Sequence, residues 1–310
     1  VTIEHDLENS DIVNATSATF ELLGDRLTLA VLRDAFLERT CRFNQWLERT
    51  GAPPAILADR LNALVLRGVF HRVPQPDTPE RYEYQLTELG LSTWQILVCL
   101  WGWQREWTAE GAGEPELVHE QCGHRGPAVV VCWECDNHIT ARNTVVEIES
   151  EAVWSSTSGA RRRSSRLPSQ PTQRGDMQFN TVMEAIGDRW SALVTGYALA
   201  GARRFGDFRA ALDVSPTTLT DRLSRLCAAD ILRKCEPGQQ YRLTARGMDL
   251  FGVYASFIWW SGQAFPDAAG RGLVIRHRLC DALVEPVLKC RGCNSRLDRT
   301  SVRFDHVRMQ

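Results

Sequence analysis

The 310-residue chain has no apolar run near the eighteen or so residues that a membrane span requires; its longest candidate is Ile96–Trp101. The first ten residues, VTIEHDLENS, lack the basic-then-apolar pattern of a leader. A Walker loop, a dinucleotide fingerprint, a nucleophile elbow and a His-Glu-x-x-His motif are also missing. These absences predict a soluble, cytoplasmic protein with no membrane partner, no catalytic residue and no enzymatic role. What remains is an ordinary globular composition of 44% hydrophobic and 24% charged residues with 22 Gly and 13 Pro, at a length that suits two domains. Collagen-like, disordered and coiled-coil classes are excluded. Ten cysteines in so long a chain favour metal ligation over a disulfide scaffold.

The net charge of −2 conceals an uneven distribution. Residues 1–150 carry 12 Lys+Arg against 23 Asp+Glu, and residues 151–310 carry 24 against 15, which gives −11 and +9. A phosphate-binding surface is therefore expected mainly in the second half.

The chain is an internal duplication. Leu23-Gly24-Asp25-Arg26 recurs as Ile186-Gly187-Asp188-Arg189, and Asp59-Arg60-Leu61 as Asp221-Arg222-Leu223. Tyr84-Gln85-Leu86-Thr87 recurs as Tyr241-Arg242-Leu243-Thr244, with the length difference collected in one Pro/Gly-rich stretch that reads as a surface hairpin. Each unit ends in a tryptophan-rich stretch and a cysteine cluster. Between the units, residues 154–175 hold no acidic residue and have a linker composition, including Arg161-Arg162-Arg163, which reads as a solvated run. The predicted division is a first winged-helix domain over 1–113, a zinc-ribbon-like segment over 114–150, a flexible basic linker over 151–176, a second winged-helix domain over 177–270 and a second ribbon over 271–310.

Within the second unit, helical periodicity over Thr181–Leu199 breaks at Gly187-Asp188, and Arg204–Leu212 forms another helix. Ser215-Pro216 is a helix start, followed by Leu219, Leu223 and Leu226 on one face. A hairpin about a Pro-Gly turn and a long helix follow. This order is that of a winged helix-turn-helix, so the expected fold is mainly α (α+β): two such domains in tandem, each with a small zinc-binding, β-rich segment. Thr217, Thr218, Thr220, Asp221, Arg222 and Arg225 fall opposite the leucines, where hydroxyls and guanidinium groups suit base edges and phosphates.

The succession Gly187-Asp188-Arg189-Trp190, Arg204-Phe205-Gly206-Asp207-Phe208, Leu219-Thr220-Asp221-Arg222-Leu223 and Tyr241–Gly247 resembles the HxlR-type winged-helix transcriptional regulators. Residues 14–108 and 177–262 carry the resemblance. It implies operator binding as a two-fold dimer, with DNA contacts at Ser215, Thr217, Thr218, Arg222 and Arg225, the corresponding Arg60, and wing contacts at Arg233, Lys234 and Arg242. It also implies double-stranded operator DNA as the partner, a repressor role, and room for a small-molecule effector or a homodimer. Many members of this group carry a sensing cysteine near the domain start, but here that place falls at about Asn14 and Met177, so thiol sensing there is not expected. Familiar members are about half this length or less, so the duplication can build the dimer inside one chain. The first unit has Ala55, Ile56 and Ala58 near the places of Thr217, Thr218 and Thr220, and is expected to read DNA less well.

His119-x2-Cys122-x9-Cys132-x2-Cys135 recurs as His277-x2-Cys280-x9-Cys290-x2-Cys293. Four ligands with this spacing suit a closed structural Zn²⁺ site, one per segment and two per chain. His124 and His138 have no counterparts in the second segment, where Ala282 and Arg296 stand, and are set aside. Cys41, Cys99, Cys227 and Cys235 read as core or incidental thiols, with Cys235 lying on the wing. The tryptophan stretches read as core or dimer interface, or as the wall of an effector pocket. A rival reading makes the chain a zinc-dependent protein-interaction adaptor with degenerate winged helices.

Overall fold

The computed structural model describes residues 14–75, 78–108, 115–149, 182–212, 214–236, 238–268 and 270–305. The expected linker at 151–176, with Arg161–Arg163, and Met177 lie outside the described residues. The first unit runs α1 (Ala15–Leu23), α2 (Arg26–Leu37), α3 (Phe43–Thr50), α4 (Pro54–Leu66), β1 (Phe70–Gln75), β2 (Thr78–Leu86), α5 (Glu88–Ser92) and α6 (Trp94–Trp107), then strands β3 (Glu116–His119), β4 (Val129–Cys132) and β5 (Thr144–Ile148). The second repeats it as α7 (Val182–Ile186), α8 (Arg189–Leu199), α9 (Phe205–Ala211), α10 (Pro216–Ala228), β6 (Leu232–Cys235), β7 (Gln240–Leu243), α11 (Ala245–Asp249) and α12 (Phe251–Ala264), with β8 (Leu273–His277), β9 (Pro286–Lys289) and β10 (Val302–Asp305).

Local chemistry accounts for the breaks. A Cβ at Gly24 would lie 2.3 Å from the Phe20 carbonyl oxygen, and one at Gly187 2.4 Å from that of Met183, so only glycine allows the chain to turn so tightly there. The aspartate that follows caps the next helix: Asp25 accepts from the Leu27 and Thr28 amides, and Asp188 from those of Trp190 and Ser191. Ser215 caps α10, with Pro216 at its first position and Leu219, Leu223 and Leu226 buried, as the sequence predicts. The predicted long terminal helix is split in two at Leu250.

The units interlock about a pseudo-two-fold axis. Residues 157 apart correspond in α6 and α12, and where these helices cross, Cys99 Sγ meets its own counterpart, Ser256 Oγ, at 3.5 Å. Trp103 Nε1 donates to the Arg246 carbonyl at 2.9 Å, and the corresponding Trp260 Nε1 reaches the Leu89 carbonyl at 3.3 Å. Phe20 of α1 stacks on Phe257 of α12 with ring centroids 5.3 Å apart. Phe257 is 1% exposed, and burying such a ring is worth roughly 1.5–3 kcal/mol. One apolar core runs through both units.

Every ribbon strand pairs across units. β4 lies antiparallel to β9 with Val130 opposite Leu288, its equivalent 158 residues on, so the axis passes through this pair too. β3 pairs with β10 and β5 with β8, in matching registers (His119 opposite Val302, Thr144 opposite His277). The two ribbon segments are thus one exchanged assembly and not separate modules. No helix among the described residues is long and apolar enough to cross a membrane.

Candidate nucleic-acid interface and metal centres

The metal-ligand candidates converge, but in a pairing that spacing alone does not predict. His119 and Cys122 meet Cys290 and Cys293, and His277 and Cys280 meet Cys132 and Cys135; in each set the ligand atoms lie within 4.8 Å of one another. The expectation that each segment closes its own site is therefore corrected. The strand exchange is the reason: β4 leaves its own β3 to pair with β9, and carries the Cys132–Cys135 turn to the opposite His277.

Edges in the first set are 3.2 Å (His119 Nδ1 to Cys122 Sγ), 3.6 Å (Cys122 to Cys290) and 3.3 Å (Cys293 to His119 Nδ1). In the second they are 3.2 Å (Cys135 to His277 Nδ1), 3.8 Å (Cys132 to Cys280) and 3.5 Å (Cys280 to His277 Nδ1). A tetrahedron with metal–sulfur bonds of about 2.3 Å and metal–nitrogen bonds of about 2.0 Å has edges of about 3.5–3.8 Å, so the residues fit a four-coordinate ion such as Zn²⁺. All six cysteines are free thiols. Hydrogen bonds from the Ser295 side chain and backbone hold the Cys293 thiol down at about 6, which favours the ligating thiolate.

Four similar turns build the two sites. The amides of Gly123, Asp136, Asp281 and Asn294 donate to the carbonyls of His119, Cys132, His277 and Cys290 at 2.8, 2.8, 2.8 and 2.9 Å. Each of these donors has positive φ, which Gly, Asn and Asp tolerate best. A Gly, Asp or Asn directly after each second ligand was therefore a signal in the sequence that ligand spacing alone passes over.

On the second winged helix, Thr217 and Arg225 of α10 are exposed, as are Arg233, Lys234 and Arg242 on the wing. Ser215 Oγ accepts from the Thr218 amide at 3.2 Å and lies 2.9 Å from Thr218 Oγ1, so these two hydroxyls first serve the helix start. Thr220 Oγ1 turns back onto the Pro216 carbonyl. Arg225 pairs with Asp221 at 3.1 Å on the exposed surface. The first unit differs: α4 begins without a side-chain cap, and exposes Pro54, Ala55, Asp59 and Asn62. Its wing cation Arg72 bonds to Asn62 and lies over the rings of Tyr82 and Tyr84.

Arg222 and Arg60 are largely covered and ion-paired within the chain. Arg222 Nε pairs with Asp188 at 3.0 Å, its guanidinium also reaches Asp221, and its side chain is 17% exposed. Arg60 Nε pairs with Asp25 at 3.1 Å and is 15% exposed. Each ties the recognition helix to the aspartate that caps the second helix upstream, α10 to the cap of α8 and α4 to the cap of α2, an internal engagement that helical periodicity cannot reveal. Asp188→Asn keeps a good N-cap while removing the charge, so it should match Arg222→Ala in operator affinity, each losing on the order of 1–2 kcal/mol, with little added by the double variant. Loss at Arg222→Ala with none at Asp188→Asn, in a fluorescence-anisotropy titration, would show that Arg222 meets DNA directly.

Cys41, Cys99 and Cys227 are poorly suited to sensing. Burial pushes Cys99 up to about 12 and raises Cys41 and Cys227. Asn14, where the resemblance would place a sensing cysteine, is buried and caps α1 through the Ser17 amide at 2.8 Å.

The HxlR-like helix-turn-helix family matches the chain twice, at residues 22–112 and 185–268. Uncharacterized HTH-type transcriptional regulators of Mycobacterium tuberculosis (strain H37Rv) and Mycobacterium bovis are each 38% identical over 146 residues, covering 47% of this chain and 89% of their own. Another, from Bacillus subtilis, is 42% identical over 52 residues, 17% of this chain and 48% of its own. No solved structure matches.

Proposed function

The chain belongs to the HxlR-like helix-turn-helix family and is a DNA-binding transcriptional regulator; on that premise we propose that one chain does the work of a two-fold dimer. The carrying observation is the pairing of equivalent residues about one axis, Cys99 with Ser256 and Val130 with Leu288. Such an axis relates two recognition helices as the halves of an operator are related, with half-sites about one helical turn apart. Two Zn²⁺ ions, each held by ligands from both units, brace the arrangement without taking part in reading. A family match in both units favours this reading over the adaptor.

The two halves read unequally. Thr217, Arg225, Arg233, Lys234 and Arg242 offer the second half-site hydroxyls and cations, whereas the first unit has Ala55, Ala63, His71, Arg72 and Gln85 in the corresponding places. With an operator selected from random duplexes, Arg233→Ala with Arg242→Ala should weaken binding to all sequences and reduce the salt slope by about two. Thr217→Ala should relax sequence preference in one half-site alone. His71→Ala with Gln85→Ala should cost less than the second-wing pair, and an equal cost would contradict the inequality.

A further inference from the structure

The two sides of the interface between α6 and α12 are filled differently. On one side Gln95 donates to the Pro286 carbonyl at 2.7 Å, and α12 carries Trp259. The positions 157 residues away, which the pseudo-two-fold places on the other side, are Gly252 and Gly102. There a cavity of about 210 Å³ opens between α6, α11, α12 and β4, with Val98, Trp103, Val130 and Phe251 in its walls. A Cβ at Gly102 would meet no atom nearer than Pro127 Cβ at 3.6 Å, so that glycine leaves room and is not demanded by the backbone. The rim carries two acids from the helices, Glu106 and Asp249, and two bases from the ribbon, His138 and Arg291, all exposed.

We propose that this cavity binds a small zwitterionic aromatic compound with the size and charge pattern of an aromatic amino acid. An enclosed apolar void of about 150 Å³ suffices for benzene, and this larger, partly open cavity with both polar and apolar walls has room for a ring with a short polar arm. The indole and phenyl walls receive the ring, the Glu106 and Asp249 carboxylates face an ammonium, and the Arg291 guanidinium faces a carboxylate. Asp249 and Met248 belong to α11, which directly follows the second wing. A Cβ at Gly247 would lie 2.2 Å from the Ile231 carbonyl oxygen, so α11 sits hard against the base of that wing. Occupancy therefore bears on the second reader, a consequence that rests on the DNA reading above, whereas binding itself does not.

The test is titration of the full-length, metal-loaded chain with L-phenylalanine, 3-phenylpropionate and phenethylamine, followed by tryptophan fluorescence and calorimetry. L-Phenylalanine should bind saturably at one per chain, with each singly charged analogue about tenfold weaker. Gly102→Trp, which copies Trp259 of the other side, should abolish binding while metal content holds. Glu106→Gln should weaken L-phenylalanine about tenfold and leave 3-phenylpropionate unchanged. No saturable binding of any probe, or binding untouched by Gly102→Trp, would overturn the site; analogues as tight as L-phenylalanine would overturn the zwitterion. Because the readout is ligand binding, failure of the DNA reading would show separately, as an operator affinity that is absent with or without ligand.

Discussion

Replacing Cys122 and Cys290 together by serine is expected to leave one metal ion per chain, whereas replacing Cys122 and Cys132 together leaves none. The first pair belongs to one tetrahedral set, so both losses fall on the same ion. The second pair takes a thiolate from each set. If each segment closed its own site, the two results would be reversed. Single substitutions do not distinguish the arrangements, since either loses one ion. Plasma-emission analysis of protein purified without added zinc counts the ions directly. The structural consequence should also be large, since a structural zinc site contributes apparent binding energy on the order of 10–16 kcal/mol in small zinc-dependent folds. Here that energy is shared between units, because every ligand set and every ribbon strand pair spans both. The variant without metal should therefore loosen the relation between the two winged helices, and not only one ribbon.

Much of the fold was legible because local and repeated signals agreed. Gly24-Asp25 and Gly187-Asp188 mark a bend followed by an N-cap, and Ser215-Pro216 marks a helix start; in both cases the chemistry is complete within a few residues. The convergence of the eight candidate metal ligands was legible for the same reason, each pair being set by one tight turn. Their partition between two sites was not. A duplicated motif offers the same residue types at the same spacing whether it closes on itself or on its copy, so the sequence is degenerate and only the strand pairing decides. The internal pairing of Arg222 and Arg60 was not legible for a different reason. Each stands on the flank of a leucine stripe, where a guanidinium normally faces solvent, and its partner lies more than thirty residues earlier. The recurrence of both aspartate and arginine in each unit was a signal for that pair. The cavity at Gly102 depends on what its counterpart Trp259 does across the axis, and no local pattern contains that.

We propose that a single chain, tied across its repeats by metal, presents two unequal winged helices to one operator. The decisive measurement is the mass of the complex formed between the metal-loaded chain and its selected operator, by light scattering and read together with the footprint. One chain per duplex is predicted, protecting two half-sites about one helical turn apart, with the stronger sequence preference in the half facing the second unit. Two chains on a palindromic operator, each using only its second winged helix, would contradict it.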